Sequence, residues 1–147
     1  MKRMSLTIAF LIMTTGLVLA QEMPGSHFME NWDINEDGVL SLEDAMEKRS
    51  DVFVMFDMDE NGSLSAEEYK LFDQTRNEDM EQNAGGRIGH GNRAMENVQK
   101  GLLLTFNDVD GDGNVTKEEF VGCSQDWMEM LDRNGDGIVT SKDFGPQ

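Results

Sequence analysis

The sequence predicts an all-α fold of four helix–loop–helix units, paired through short β contacts between their loops and gathered into two lobes. Three observations carry that expectation. A segment recurs at an offset of 75 residues, so that Asp33 to Glu68 maps onto Asp108 to Asp143. Within each copy two acidic loops of twelve residues begin 24 residues apart, at Asp33 and Asp57 and again at Asp108 and Asp132. Position 8 of every loop is apolar (Leu40, Leu64, Val115 and Val139); two such loops pair there as a short strand, so its recurrence points to folding in pairs.

The elements follow in chain order. Lys2 and Arg3, an apolar run from Leu6 to Val18 and the small-residue end Val18-Leu19-Ala20 read as an export signal over residues 1–20. Cleavage is expected after Ala20, which makes the mature chain periplasmic or secreted. The apolar run is shorter than the roughly 20 residues a bilayer requires, and no second one follows, so no membrane anchor is expected after cleavage. Residues 21–27 read as an exposed leader, 28–83 as the first pair of units, 84–92 as a flexible Gly-rich linker and 93–147 as the second pair. Helix-like patterns over 66–83 and 93–106 flank the linker. Its glycines lack the preceding strand and the following Lys-Ser or Lys-Thr of a phosphate-binding loop.

Charge narrows the function. The chain carries a formal charge of -17; loss of residues 1–20 removes two basic and no acidic residues and leaves -19. Nucleic acid is excluded as a partner on that sign. The acids recur at fixed offsets around glycines instead of running in blocks, which is how ligands to a cation are arranged. Cys123 stands alone, so no internal disulfide staples the chain. Bound metal is expected to supply stability instead, because empty carboxylate cages repel themselves.

Calcium is a hard cation that takes six to eight oxygens, and a twelve-residue loop supplies them from positions 1, 3, 5, 7, 9 and 12 with a Gly turn at 6. In the first loop Asp33, Asn35 and Asp37 offer side-chain oxygens, Gly38 turns, Val39 offers its carbonyl, Ser41 holds a water and Asp44 closes the cage. The second assigns those roles to Asp57, Asp59, Asn61, Gly62, Ser63, Ser65 and Glu68, and the third to Asp108, Asp110, Asp112, Gly113, Asn114, Thr116 and Glu119. The fourth assigns them to Asp132, Asn134, Asp136, Gly137, Ile138, Thr140 and Asp143. One acidic turn of this composition is common in solvated loops; four in a fixed repeat are not.

The loops and their flanks resemble the EF-hand superfamily, and more narrowly the small four-hand proteins that bacteria export, from Phe28 to Phe144. The resemblance implies helix–loop–helix units whose residues at positions 1, 3, 5, 7 and 12 coordinate calcium. It implies no particular partner. The chain departs from the pattern in four places. Loops 1 and 4 end in Asp44 and Asp143, one methylene shorter than Glu, which predicts lower coordination, relatively more tolerance for Mg2+ and weaker calcium binding than at loops 2 and 3. Only twelve residues separate the loops of each half, room for one shared helix or two stubs; Ser50 and Ser124 as N-caps favour stubs. Gly145-Pro146-Gln147 leave almost no exit helix for loop 4, which predicts a looser site, and Asn107 stands where an apolar residue should precede loop 3.

Other residues read as structural. Met29, Met46, Met55, Met95, Met128 and Met130 suit either a target-gripping groove or a small core, and the core reading is favoured. His27 and His90 read as exposed polar residues and Cys123 as an inert buried thiol. With the acids assigned as ligands, no nucleophile–base arrangement remains and no enzyme is expected. The function expected is calcium binding by an exported protein, as a buffer or as a sensor acting through a protein partner the sequence does not name. The alternative is a calcium-shaped assembly module resembling a dockerin, favoured by the loops ending in Asp and opposed by Glu68 and Glu119.

Overall fold

Between loops 1 and 2 the chain forms one uninterrupted helix, and that helix decides which loops can meet. The computed structural model describes residues 25–83 and 93–145. The expected export signal, most of the expected leader, the expected linker over 84–92 and the last two residues lie outside the described residues. In order, the elements are α1 (Ser26–Trp32), β1 (Val39–Leu40), α2 (Leu42–Phe56), β2 (Ser63–Leu64) and α3 (Ala66–Asn83). After the linker come α4 (Arg93–Lys100), α5 (Leu104–Asn107), β3 (Val115–Thr116), α6 (Lys117–Gly122), α7 (Ser124–Leu131), β4 (Val139–Thr140) and a 3-10 turn, Ser141–Phe144.

The two expected stubs between loops 1 and 2 are therefore a single shared helix, α2. Ser41 starts it with a capping box closed by Asp44, no Gly or Pro interrupts it, and Ser50 lies in its interior. At the equivalent gap in the second half, α6 and α7 are separate, and Gly122 stands where the repeat has Glu47. Glycine weakens the helix there by about 1 kcal/mol relative to alanine. Ser124 does not cap α7 as expected, because its hydroxyl donates to the Val121 carbonyl at 2.6 Å. The helical pattern over 93–106 is also broken, between α4 and α5. Gly101 in that break abuts the Trp127 ring, where an added Cβ would lie 1.8 Å from Cδ1.

A rigid α2 of fifteen residues spans about 22 Å. It carries loops 1 and 2 to its opposite ends, so they cannot be neighbours. Loop contacts form as antiparallel pairs as expected, but the partners are different: β1 pairs with β4 (Val39 opposite Thr140, Leu40 opposite Val139) and β2 with β3 (Ser63 opposite Thr116, Leu64 opposite Val115). The pairs are thus not the sequence halves 28–83 and 93–147. Each half gives one loop to each pair. The four position-8 side chains are buried to within 1%, each contributing about 1.5–3 kcal/mol by burial.

Each pair rests on its own aromatic group. Phe28, Trp32, Trp127 and Phe144 stack under loops 1 and 4, with Trp32 and Trp127 centroids 4.6 Å apart. Phe53, Phe56, Tyr69, Phe72 and Phe120 stack under loops 2 and 3. One cluster of buried side chains joins both groups, with α2 packed on α6 and α7. The methionines divide between the two readings: Met29 is buried and Met95, Met128 and Met130 pack on the core, whereas Met46 and Met55 are exposed. His27 is exposed, with its ring 3.3 Å from Asp79 of α3.

Candidate metal centres

All four loops build the same acceptor cage from their own amides. At position 1, one carboxylate oxygen accepts the position-6 glycine N–H and the other the position-5 N–H. The glycine bonds are Gly38 to Asp33 at 2.7 Å, Gly62 to Asp57 at 2.9 Å, Gly113 to Asp108 at 3.1 Å and Gly137 to Asp132 at 2.8 Å. The position-3 oxygens of Asn35, Asp59, Asp110 and Asn134 accept the position-5 amides at 2.8–3.2 Å. The position-5 oxygens of Asp37, Asn61, Asp112 and Asp136 accept the amides of Val39, Ser63, Asn114 and Ile138. Every position-6 glycine has a left-handed φ between 84° and 87°, the conformation that turns the chain back around a cation.

Position 9 plays a part the sequence reading missed. Ser41, Ser65, Thr116 and Thr140 were expected to hold waters. Each hydroxyl bonds the position-12 carboxylate and receives a backbone N–H at the start of the exit element, so one residue caps that element and orients the position-12 side chain. Position 4 also differs between the halves. Glu36 and Glu60 take left-handed backbone with φ of 56° and 54°, where loops 3 and 4 have Gly111 and Gly135. Such backbone costs a non-glycine residue roughly 1 kcal/mol or more.

Closure at position 12 separates the loops. Glu68 reaches across its loop to the Met58 amide at 2.8 Å, and Glu119 to those of Val109 and Asp110 at 3.1 and 3.2 Å. Asp143, although shorter, also crosses, to the amides of Arg133 and Asn134 at 3.0 and 3.3 Å. It does so because its exit element is a tight 3-10 turn, which the Arg133 guanidinium clamps through the Asp143 and Gly145 carbonyls at 2.8 and 3.2 Å. The fourth site is thus held more firmly than its missing exit helix suggested. Among the described residues the Asp44 carboxylate bonds only its own cap, Ser41. Loop 1 is the one whose twelfth carboxylate does not cross.

The donor sets fit a hard divalent cation. The carboxylate oxygens of Asp57, Asp59 and Glu68 lie within 4.8 Å of one another, as do those of Asp108, Asp110 and Asp112. Loops 1 and 4 have Asn at position 3, an uncharged oxygen donor. Glu68 and Glu119 are held below the ordinary carboxylate pKa, chiefly by the backbone N–H of Ser65 and Thr116 and next by their hydroxyls, which favour the ionised, ligating form.

The largest surprise lies beneath loops 2 and 3. Arg49, on α2, is fully buried and makes no ion pair among the described residues. Its Nε donates to the Phe120 carbonyl at 2.7 Å, Nη1 to the Gly101 carbonyl at 3.2 Å and Nη2 to Asn107 Oδ1. The guanidinium lies 4.3 Å from the Phe120 ring centroid and 5.1 Å from that of Trp127. Burial lowers its pKa to about 10, so it stays charged at neutral pH. The out-of-pattern Asn107 is explained by this partner, and was the one signal in the sequence that could have located it.

The EF hand family model matches residues 50–73, 108–123 and 125–145. No curated protein matches the chain. The matched regions hold loops 2, 3 and 4, and loop 1 shares with all three the amide bonds from positions 5 and 6 to position 1, from position 5 to position 3 and from position 7 to position 5. No helix among the described residues is long and apolar enough to cross a membrane. EF hands indicate calcium binding, and the described residues include EF-hand helix–loop–helix units, with loops 2, 3 and 4 inside the regions that the family model matches.

Proposed function

We propose that the protein is an exported calcium binder whose four loops act as two unlike pairs, serving chiefly to buffer calcium outside the cytoplasm. The observation that carries the reading is the sorting of ligands by strand pairing. Loops 2 and 3, which end in Glu68 and Glu119, share one β contact, and loops 1 and 4, which end in Asp44 and Asp143, share the other. The Glu pair holds the two three-carboxylate groups and takes calcium first, loop 3 ahead because it adds Glu119 to three aspartates. The Asp pair fills later and tolerates Mg2+, whose smaller octahedral shell needs no bidentate twelfth ligand. Loop 1 is the weakest of the four. A core common to all four hands favours buffering over the opening motion of a sensor.

Calorimetric titration with calcium, with and without magnesium, tests this, with an apolar-surface dye run in parallel. Two tight and two weaker ions, only the weaker class losing heat to magnesium and the dye unmoved, is the expected result. Dye binding that rises with loading would make the protein a sensor, and no heat at millimolar calcium would remove the function altogether. Detection of the chain in the periplasm or medium, shortened at Ala20, checks the export.

A further inference from the structure

Loop 3 has the weakest local scaffold of the four on its entry side. Its entering helix α5 is a single turn, Leu104–Asn107, and its approach is broken at Gly101. The support comes from the other half of the chain. Arg49 bonds Asn107, the residue before the first ligand Asp108, and the carbonyl of Phe120, the residue after the last ligand Glu119. One planar side chain therefore spans both flanks of the loop, which a guanidinium's fixed fork of donors suits and a single-point cation does not. The network continues to loop 2. Asn107 Nδ2 donates to the Tyr69 hydroxyl at 2.9 Å, that hydroxyl donates to the Leu102 carbonyl at 3.0 Å, and Tyr69 follows Glu68, the last ligand of loop 2.

We propose that Arg49 is a positioning residue for the third calcium loop, fixing the distance between its two flanks and, through Asn107 and Tyr69, tying its filling to that of loop 2. The inference rests on the calcium reading above. It gives a role to a buried charge that has no carboxylate partner among the described residues and that supplies donors to the Phe120 and Gly101 carbonyls. It also sets apart two couplings: loops 2 and 3 have the polar network in addition to their strand pair, whereas loops 1 and 4 have the strand pair and stacked rings.

The test uses the position-6 glycine amides, one per loop, as reporters in nuclear magnetic resonance titrations of the purified protein with calcium. The variant is the double substitution Arg49→Met with Asn107→Leu, which replaces the buried polar pair by an apolar one and puts an apolar residue back before loop 3. In the folded double variant the calcium midpoint of Gly113 is expected to rise about fivefold or more, that of Gly62 to move in the same direction, and those of Gly38 and Gly137 to stay within about twofold. Four unchanged midpoints, or four that move together, would overturn the proposal, the first leaving Arg49 a packing residue and the second a general stabiliser. If the double variant does not fold, Tyr69→Phe decides, because it removes one hydroxyl and keeps the ring: shifts confined to Gly62 and Gly113 support the network, and none overturns it. Wild-type glycine signals that ignore millimolar calcium would instead overturn the calcium reading itself.

Discussion

At Glu68 and Glu119 the loop's own hydrogen bonds orient a carboxylate in advance of any ion. Each carboxylate accepts N–H and hydroxyl hydrogen bonds from its cap, Ser65 or Thr116, and further amides from the far side of its loop. These bonds favour the ionised form and hold both pKa values below 4.5. A folded-state pKa below the unfolded one means that the associated stability is present above about pH 4.5 and is lost as pH falls through the folded values. Thermal melts of the calcium-free protein followed by circular dichroism should therefore be flat from about pH 7 to 5 and drop below about 4.5. Glu68→Gln should flatten part of that drop. A midpoint that already declines between pH 7 and 5 would contradict this account.

Among the elements, the short α5 depends on what surrounds it. Gly101, just before it, offers its carbonyl to both Arg49 and Asn107 and leaves room for the Trp127 ring. Gly101→Ala places a methyl inside that ring's contact distance, and the expected cost is about 1–3 kcal/mol of unfolding free energy. Denaturant unfolding followed by tryptophan emission would read both the loss and the displaced ring; an unchanged midpoint would show that α7 can give way freely. The same region marks the limit of what the sequence disclosed. The loop acceptors, turn glycines and buried position-8 residues were legible because they are set by spacing inside one loop. Helix continuity was less so, since Glu47 and Gly122, one repeat apart, had to be read as the difference between a helix that runs on and one that breaks. Arg49 was legible only indirectly, through the out-of-pattern Asn107, because arginines are seldom buried and its repeat counterpart, Ser124, gives no hint of the carbonyls waiting for it.

At the scale of the whole molecule, partner choice could not be read from the repeat, because the 75-residue symmetry suggests two self-sufficient halves and the geometry of α2 forbids them. The structure makes a direct prediction. Residues 25–83 and 93–147, produced separately, should each bind calcium weakly and fold poorly, while an equimolar mixture should recover helical signal and tight binding, because both strand pairs and the shared core form only between the fragments. Circular dichroism of the fragments alone and mixed, at matched calcium, measures this. Two ions bound at full affinity by an isolated fragment would show that its own loops can pair after all.

The pairing of β1 with β4 has a consequence for how the protein is made. Val39 and Thr140 are roughly 100 residues apart, so this closure sets a high contact order for a small helical protein, and such closures form late because the connecting chain must first be confined. During synthesis, as the N-terminus emerges first, loop 1 has no partner until the final hand emerges. The first calcium loop to appear is then among the last to be completed, and the nascent chain stays pliable until nearly its whole length is free.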